Sequence, residues 1–149
     1  MSISISQTID IDVDAATVWA IVADYSNDVL WRSGVVSMVS APVGPVDAGT
    51  TTEEVIKVAG RIWTNLGVVT SVEPDRKFRW QTTSGVQASG SRQVSSLDDD
   101  RSRVSLELHV TPTGFDRLVA TIASPVLRRN VRKDALALRA LLTERQVVR

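Results

Sequence analysis

Between residues 50 and 111 the chain is divided into strand-length segments by short turns, and this feature most constrains the fold. The turns are Ala59-Gly60, Pro74-Asp75-Arg76, Ser84-Gly85 and Asp98-Asp99-Asp100. Tight turns of this kind join antiparallel neighbours. The sequence therefore predicts an antiparallel meander with strands over 50–59, 62–73, 77–83, 87–97 and 102–111.

A further strand and two short helices precede this meander. Isoleucines alternate with polar residues over 3–11, which predicts a strand with a phase slip near Gln7. Asp14 is placed to cap a helix whose apolar stripe is Val18, Ile21, Val22 and Tyr25. A second helical turn follows at 29–31, and residues 35–41 are predicted as a strand.

The tail over 115–146 is rich in Leu, Ala and Arg and is predicted to be helical around Pro125. At ~100° per residue, the apolar stripes before and after Pro125 lie roughly 160° apart on an unbroken helix. A proline supplies a break, so we expect helical pieces at 115–123 and 126–146. Together these elements predict one α+β domain over residues 1–149, with a curved antiparallel sheet around a long C-terminal helix.

Composition excludes several kinds of chemistry. The 149 residues include no Cys and one His, so disulfides, thiolate catalysis and multi-His or Cys metal sites are excluded within one chain. We expect no metal and no cofactor. The acidic, alternating N-terminus does not resemble a signal peptide, and no apolar run reaches the ~20 residues of a membrane span. These features predict a cytoplasmic protein without integral membrane association.

Charge is unevenly distributed, although the formal net charge is zero. Residues 117–149 contain eight Lys or Arg and two Asp or Glu. We interpret this region as a solvated basic helix face; the alternative is a patch for anions, membrane surfaces or nucleic acid. No aromatic RNA-reading motif accompanies the arginines, so nucleic acid is not an expected partner.

The segment DIDVDAATVWAIVADYSNDVLW over residues 10–31, followed by the element order above, resembles START-like (SRPBCC) helix-grip proteins. Within them the chain is most similar to the polyketide cyclase/dehydrase and lipid transport family, over essentially its full length. The resemblance implies a seven-stranded antiparallel sheet gripping the C-terminal helix, two short helices after the first strand, and an apolar cavity. It also implies a lipid-like or polyketide-like ligand.

Strand alternation predicts which side chains face this cavity. The predicted inward sets are Thr52, Glu54, Ile56 and Val58; Ile62, Thr64, Leu66, Val68, Thr70 and Val72; Phe78, Trp80 and Thr82; Ala88, Gly90, Arg92, Val94 and Ser96; and Val104, Leu106, Leu108 and Val110. From these and the helices we predict a ligand-binding set of Arg92, Glu54, Trp80, Trp31, Phe78, Leu66, Leu106, Leu118 and Ile122. Trp63 has the opposite alternation and is expected outside or at a bulge.

The two charged members of this set suggest possible chemistry. An inward Arg92 could bind a carboxylate or polarise a ketone oxygen, and an inward Glu54 could act as a general base on an acidic C–H bond. The alternatives are that the alternation fails, or that the two pair with each other or with Arg61.

Two other patterns are not interpreted as sites. Ser105, Glu107 and His109 contain the residue types of a triad, but alternate strand positions lie ~6.6 Å apart in parallel, on the expected outer face. The run 98–100 lacks the spacing of a calcium loop. No phosphate-binding loop or dinucleotide fingerprint is present.

These observations favour a non-catalytic protein that binds a hydrophobic small molecule in the cavity. One alternative is a polyketide aromatase/cyclase or dehydratase acting largely by positioning its substrate. Another is a protein-interaction or stress module using the basic helix. A homodimer through a sheet edge or a Trp patch is a further alternative, which nothing in the sequence specifies.

Overall fold

The computed structural model describes residues 2–58, 60–111 and 116–148, with side chains of the last helix described over 124–145. The strands are β1 (Ile3–Ile11), β2 (Val35–Ala41), β3 (Thr51–Val58), β4 (Arg61–Glu73), β5 (Lys77–Ser84), β6 (Ala88–Asp98) and β7 (Arg101–Val110). The helices are α1 (Ala15–Val22), α2 (Asp28–Trp31) and α3 (Asp116–Val148), with a 3₁₀ turn at Tyr25–Asn27. The predicted meander strands are confirmed, each end lying within one residue of its expected position.

The seven strands form one curved antiparallel sheet in the order β1-β7-β6-β5-β4-β3-β2. The first strand therefore closes onto the last, and β1 and β2 are the two edges. The register of β1 on β7 runs without interruption from Ile3–Val110 to Ile11–Ser102, so the predicted phase slip near Gln7 is wrong.

Local side-chain chemistry sets the start of α1. Asp14 accepts hydrogen bonds from the backbone N–H of Thr17 at 3.0 Å and from its hydroxyl at 2.7 Å. These bonds satisfy donors that the first helical turn leaves unpaired. Val18 and Val22, on the predicted stripe, are then fully buried against the sheet.

Helix α3 continues through Pro125, so the predicted break into two pieces is wrong. A proline removes one hydrogen bond of the helical ladder, and the turns on either side can remain helical when the helix packs on a sheet. Ala135, Leu138 and Leu142 are buried against Ile9, Ile11 and Val104. This stripe, with Leu127 and Val131 on the same face, holds α3 in the curve of the sheet.

Strand β4 has the opposite facing to the one predicted over most of its length. Ile62 is 66% exposed, whereas Asn65 and Val69 are buried. At the register shift between Val69 and Ser71, β4 has one residue more than β5, which changes the alternation along β4 and returns Val72 to the inner side. The inner surface of β4 therefore consists of Trp63, Asn65, Gly67 and Val69. The prediction failed because both faces of this strand carry apolar residues, so composition could not distinguish them.

No helix in the described residues is long and apolar enough to cross a membrane.

Candidate functional site

A cavity of about 540 Å³ lies between the sheet and α3. Its walls come from strands β2 to β7, with α2 on one side and α3 on the other. One part is apolar and includes Val86, Ala88, Leu108, Leu127 and Val131. The other part is polar and is built around two arginines, Arg32 and Arg92.

Arg92 projects from β6 and is held by Asp28 of α2. Its two terminal nitrogens donate to the two carboxylate oxygens of Asp28, at 2.9 and 2.7 Å. The Nη1 group also donates to the carbonyl oxygen of Val22 at 3.1 Å, at the end of α1. Arg92 and Asp28 are 5% and 0% exposed, so this is a buried, bidentate ion pair that ties the helices to the sheet.

A second arginine extends this ion pair towards the cavity. Arg32 donates to Asp28 at 3.0 Å, and its Nη2 forms an ion pair with Oε1 of Glu54 on β3 at 2.8 Å. The side-chain amide of Asn65 on β4 donates to Oε2 of Glu54 at 3.2 Å. The result is a continuous chain of charge-assisted bonds from β6 through α2 to β3 and β4.

The turn between β5 and β6 completes this chain. The backbone N–H of Val86 donates to Oδ1 of Asn65 at 2.9 Å. Gly85 has a φ of 92°, and a Cβ at this position would collide with that same amide oxygen. Glycine is therefore required for the turn to approach Asn65 this closely.

Aromatic rings surround the buried guanidinium group of Arg92. Its central carbon lies 4.9 Å from the ring centroid of Tyr25, 5.0 Å from that of Trp31 and 5.6 Å from that of Phe78. Such cation–π contacts strengthen when they are desolvated. Burial raises the pKa of Tyr25 to about 12, so its hydroxyl keeps its proton at neutral pH.

The pKa values of the ion pair follow from competition between burial and partner charges. Burial raises the pKa of Asp28, but the charge and hydrogen bonds of Arg92, with those of Arg32, outweigh it, so the pKa is lowered overall. Burial lowers the pKa of Arg92, yet the adjacent Asp28 leaves it raised. Both groups therefore stay charged at neutral pH.

Asp134 of α3 is a carboxyl group at the edge of this network. Its Oδ1 accepts bonds from the backbone N–H of Ser33 at 3.0 Å and from the Ser33 hydroxyl at 3.2 Å. Burial raises its pKa, only partly offset by the Ser33 hydrogen bonds and by Arg32. Asp134 also lines the cavity, so α3 contributes one acidic group to the polar part.

A family model described as polyketide cyclase / dehydrase and lipid transport matches residues 2–143. The chain belongs to this family.

Solved structures show how widely the fold of this family is shared. The Zhui aromatase/cyclase from Streptomyces sp. R1128 is similar with a TM-score of 0.81 and 18% identity, over 99% of this chain and 96% of that one. A START superfamily protein from Mycobacterium smegmatis has a TM-score of 0.72 and 15% identity, over 95% and 98%. The protein TTHA0849 from Thermus thermophilus has a TM-score of 0.76 and 17% identity, over 92% and 94%. No curated protein matches the chain. At these sequence identities the similarity shows a shared fold.

Most of the predicted ligand-binding residues do border the cavity of this family member, although their binding role stays a prediction. Arg92, Glu54, Trp80, Trp31 and Leu106 line it. Leu66 borders it with a side chain that is 42% exposed. Leu118 and Ile122 lie outside the residues whose side chains are described.

Three predicted details need correction. Phe78 is completely buried and packs edge-to-face against Trp19 and Tyr25, so it supports the residues that line the cavity and does not line it itself. Trp63, expected outside, lines the cavity because the facing of β4 is reversed. Arg92 is not open to a ligand carboxylate, because Asp28 already takes both of its terminal nitrogens.

Sequence reasoning missed three members of the polar network: Asp28, Arg32 and Asn65. The spacing of Asp28 and Arg32, four residues apart across one helical turn, was a usable signal. Asn65 had none, because its facing depended on the register of β4. The trio Ser105, Glu107 and His109 forms no triad; the His109 ring instead bonds the Ser4 hydroxyl at 3.0 Å across β1 and β7.

One polar atom of the site has no hydrogen bond, and the described residues form no metal cluster. Trp31 Nε1 is buried without a hydrogen-bond partner among the described residues. Within those residues no group of three or more His, Cys, Asp or Glu side chains is arranged to hold a metal ion.

Proposed function

We propose that this chain binds a hydrophobic small molecule, lipid-like or polyketide-like, in the cavity between the sheet and α3 without transforming it. The observation that carries the proposal is the cavity itself. Its volume of about 540 Å³ falls in the range of small-molecule sites, ~300–1,000 Å³. An apolar region faces a small, pre-organised polar region, which suits a ligand with one polar end.

The state of the charged groups supports binding over catalysis. Arg92 and Arg32 are both engaged by carboxylates, and Glu54 is bonded on both oxygens. Arg92 and Asp28 are poor proton shuttles, because moving a proton would break their buried ion pair. The same groups make a rigid wall that can orient a guest.

The test is binding of the uncharged fluorophore N-phenyl-1-naphthylamine, together with native mass spectrometry for co-purified lipid. We expect saturable fluorescence enhancement with one molecule bound per chain. Ala88→Phe places a ring in the cavity and should abolish the signal. Val39→Phe adds a ring on the convex face, where Val39 is 62% exposed, and should leave it unchanged. Equal binding by both variants would show that the fluorophore does not use the cavity.

A polyketide aromatase/cyclase is the second candidate, and Asp134 is the observation that favours it. This carboxyl group lines the cavity and has a raised pKa, as a general base for a carbon acid requires. Cyclisation of a poly-β-ketone chain by the wild type, lost in Asp134→Asn with ligand binding retained, would establish this activity. Unchanged cyclisation in the variant would remove Asp134 from that role.

The cytoplasmic location, the homodimer, the interaction module and the absence of nucleic-acid binding stay predictions from the sequence.

A further inference from the structure

We propose that the polar region of the cavity selects an uncharged ligand that donates a hydrogen bond, such as an alcohol or phenol, over an anionic ligand with the same carbon skeleton. This inference rests on the proposed binding function and specifies its ligand class.

The first step is that the two arginines are not available to an anion. Arg92 directs its terminal nitrogens to Asp28 and to the carbonyl oxygen of Val22. Arg32 divides its terminal nitrogens between Asp28 and Glu54. A ligand carboxylate would have to displace one of these partners, and a displaced buried carboxylate is costly.

The second step is the charge balance of this region. Two arginines, Arg32 and Arg92, face three carboxyl groups, Asp28, Glu54 and Asp134. Of the other charged lining residues, Arg61 and Glu107 are both exposed and opposite in sign. The region therefore has no surplus of positive charge, and an entering anion would lose its hydration without gaining an unpaired cation.

The third step is the supply of acceptors. Among the described residues Asp134 accepts hydrogen bonds from Ser33 through Oδ1, and the residue lines the cavity, so Oδ2 can accept a further bond. A hydroxyl group can donate such a bond, whereas a carboxylate can only accept. An acceptor without an unpaired cation thus favours a ligand with an O–H group, and the buried Trp31 Nε1 does not separate the two ligands, because it can donate to the oxygen of either.

The experiment compares decanol and decanoate as competitors of N-phenyl-1-naphthylamine at pH 7, below the micelle concentration of the acid. The two share a carbon chain and differ in the charge of the polar end. We expect decanol to displace the fluorophore with an inhibition constant roughly tenfold lower than that of decanoate, a difference in binding free energy of about 1.4 kcal/mol. Decanoate binding as tightly as decanol, or more tightly, would overturn the inference.

Variants locate the selectivity. Asp134→Asn removes one carboxylate and should reduce the preference for decanol severalfold, because decanol loses its acceptor and decanoate loses a repelling charge. Glu73→Gln removes an exposed carboxylate at the β4–β5 turn and should leave the ratio unchanged. An unchanged ratio in Asp134→Asn would contradict the assignment. A wild-type chain that binds neither the fluorophore nor decanol would instead overturn the proposed function, and this inference with it.

Discussion

Two Asp–Arg pairs with similar geometry occupy opposite environments in this molecule. Asp28 and Arg92 are joined by bonds of 2.9 and 2.7 Å in the interior. Asp10 and Arg103 are joined by bonds of 2.7 and 3.2 Å on the outer face of β1 and β7. The exposed pair is screened by water, whereas either member of the buried pair is a desolvated charge once its partner is lost.

Asp28→Asn should therefore lower the free energy of unfolding by about 3–5 kcal/mol, because it leaves Arg92 charged and buried without its counter-ion. Asp10→Asn is the matched control and should change stability little. Urea unfolding at neutral pH measures both. Similar losses in the two variants would show that burial does not govern the strength of these pairs.

The pKa shift of Asp28 gives this pair a pH dependence. Its folded-state pKa lies below the unfolded value, so the stabilisation is present above the unfolded pKa and is lost as pH falls through the folded one. We expect the gap in unfolding free energy between wild type and Asp28→Asn to narrow on acidification. A gap independent of pH would contradict the lowered pKa.

Asp134 should show the opposite dependence, because its folded-state pKa is raised. The folded state holds the proton more tightly than the unfolded state, so ionisation costs stability as pH rises through this range. Asp134→Asn keeps an oxygen to accept from Ser33 and removes that cost. The difference in unfolding free energy between Asp134→Asn and wild type should therefore increase in favour of the variant as the pH rises from acidic to neutral. Denaturant titrations at each pH measure this difference. A difference that shifts in favour of the wild type would contradict the raised pKa.

At the scale of elements, β4 shows how register determines which residues reach the site. One shift against β5, at Val69/Ser71, reverses the alternation of β4. On its N-terminal side Trp63 and Asn65 face inward and Ile62 is exposed. Ile62→Thr should change the free energy of unfolding by no more than about 0.5 kcal/mol. Val69→Thr, on the buried face of the same strand, should cost about 1–3 kcal/mol because it buries a hydroxyl group. Thermal or urea unfolding compares the two variants. A larger loss of unfolding free energy in Ile62→Thr would support the facing of β4 that the sequence predicted.

The contact between β5 and β6 depends on a residue without a side chain. A Cβ on Gly90 would meet the backbone oxygen of Glu107 and would lie 2.7 Å from Trp80. Gly90→Ala should cost about 1–3 kcal/mol through overpacking and should shift the Trp80 ring that lines the cavity. Urea unfolding measures the stability, and tryptophan emission reports the position of the Trp80 ring. The Trp80→Phe variant identifies which part of the emission comes from that ring. Unchanged stability and emission in Gly90→Ala would show that the strands can separate without cost.

At the scale of the whole molecule, the cavity links binding to stability. A ligand that binds the folded state alone stabilises it by about 2.7 kcal/mol at a free concentration roughly one hundred times its dissociation constant. Decanol should therefore raise the melting temperature of the wild type in a concentration-dependent way, with no such rise in Ala88→Phe. An equal rise in both would indicate binding outside the cavity.

The sequence by itself determined the element order, the strand limits and the antiparallel meander, because turns and alternation are local properties of the chain. Strand alternation also placed Arg92, Glu54 and Trp80 on the inner face, whereas the cavity and the position of Trp31 beside it were implied by the resemblance to the family. Helix α3 crosses Pro125 unbroken because one lost hydrogen bond is a small local penalty against the packing of the rest of the helix on the sheet.

Only the tertiary structure decided the polar network and the inner face of β4. Asp28, Arg32 and Arg92 lie up to 64 residues apart in the chain and meet only after α2 folds over the sheet. Trp63 and Asn65 face inward, opposite in alternation to Val72, because of one register shift between β4 and β5. Both faces of β4 carry residues that either environment would accept. Pairing and register are properties of two chain segments together, so neither can be read from one segment alone.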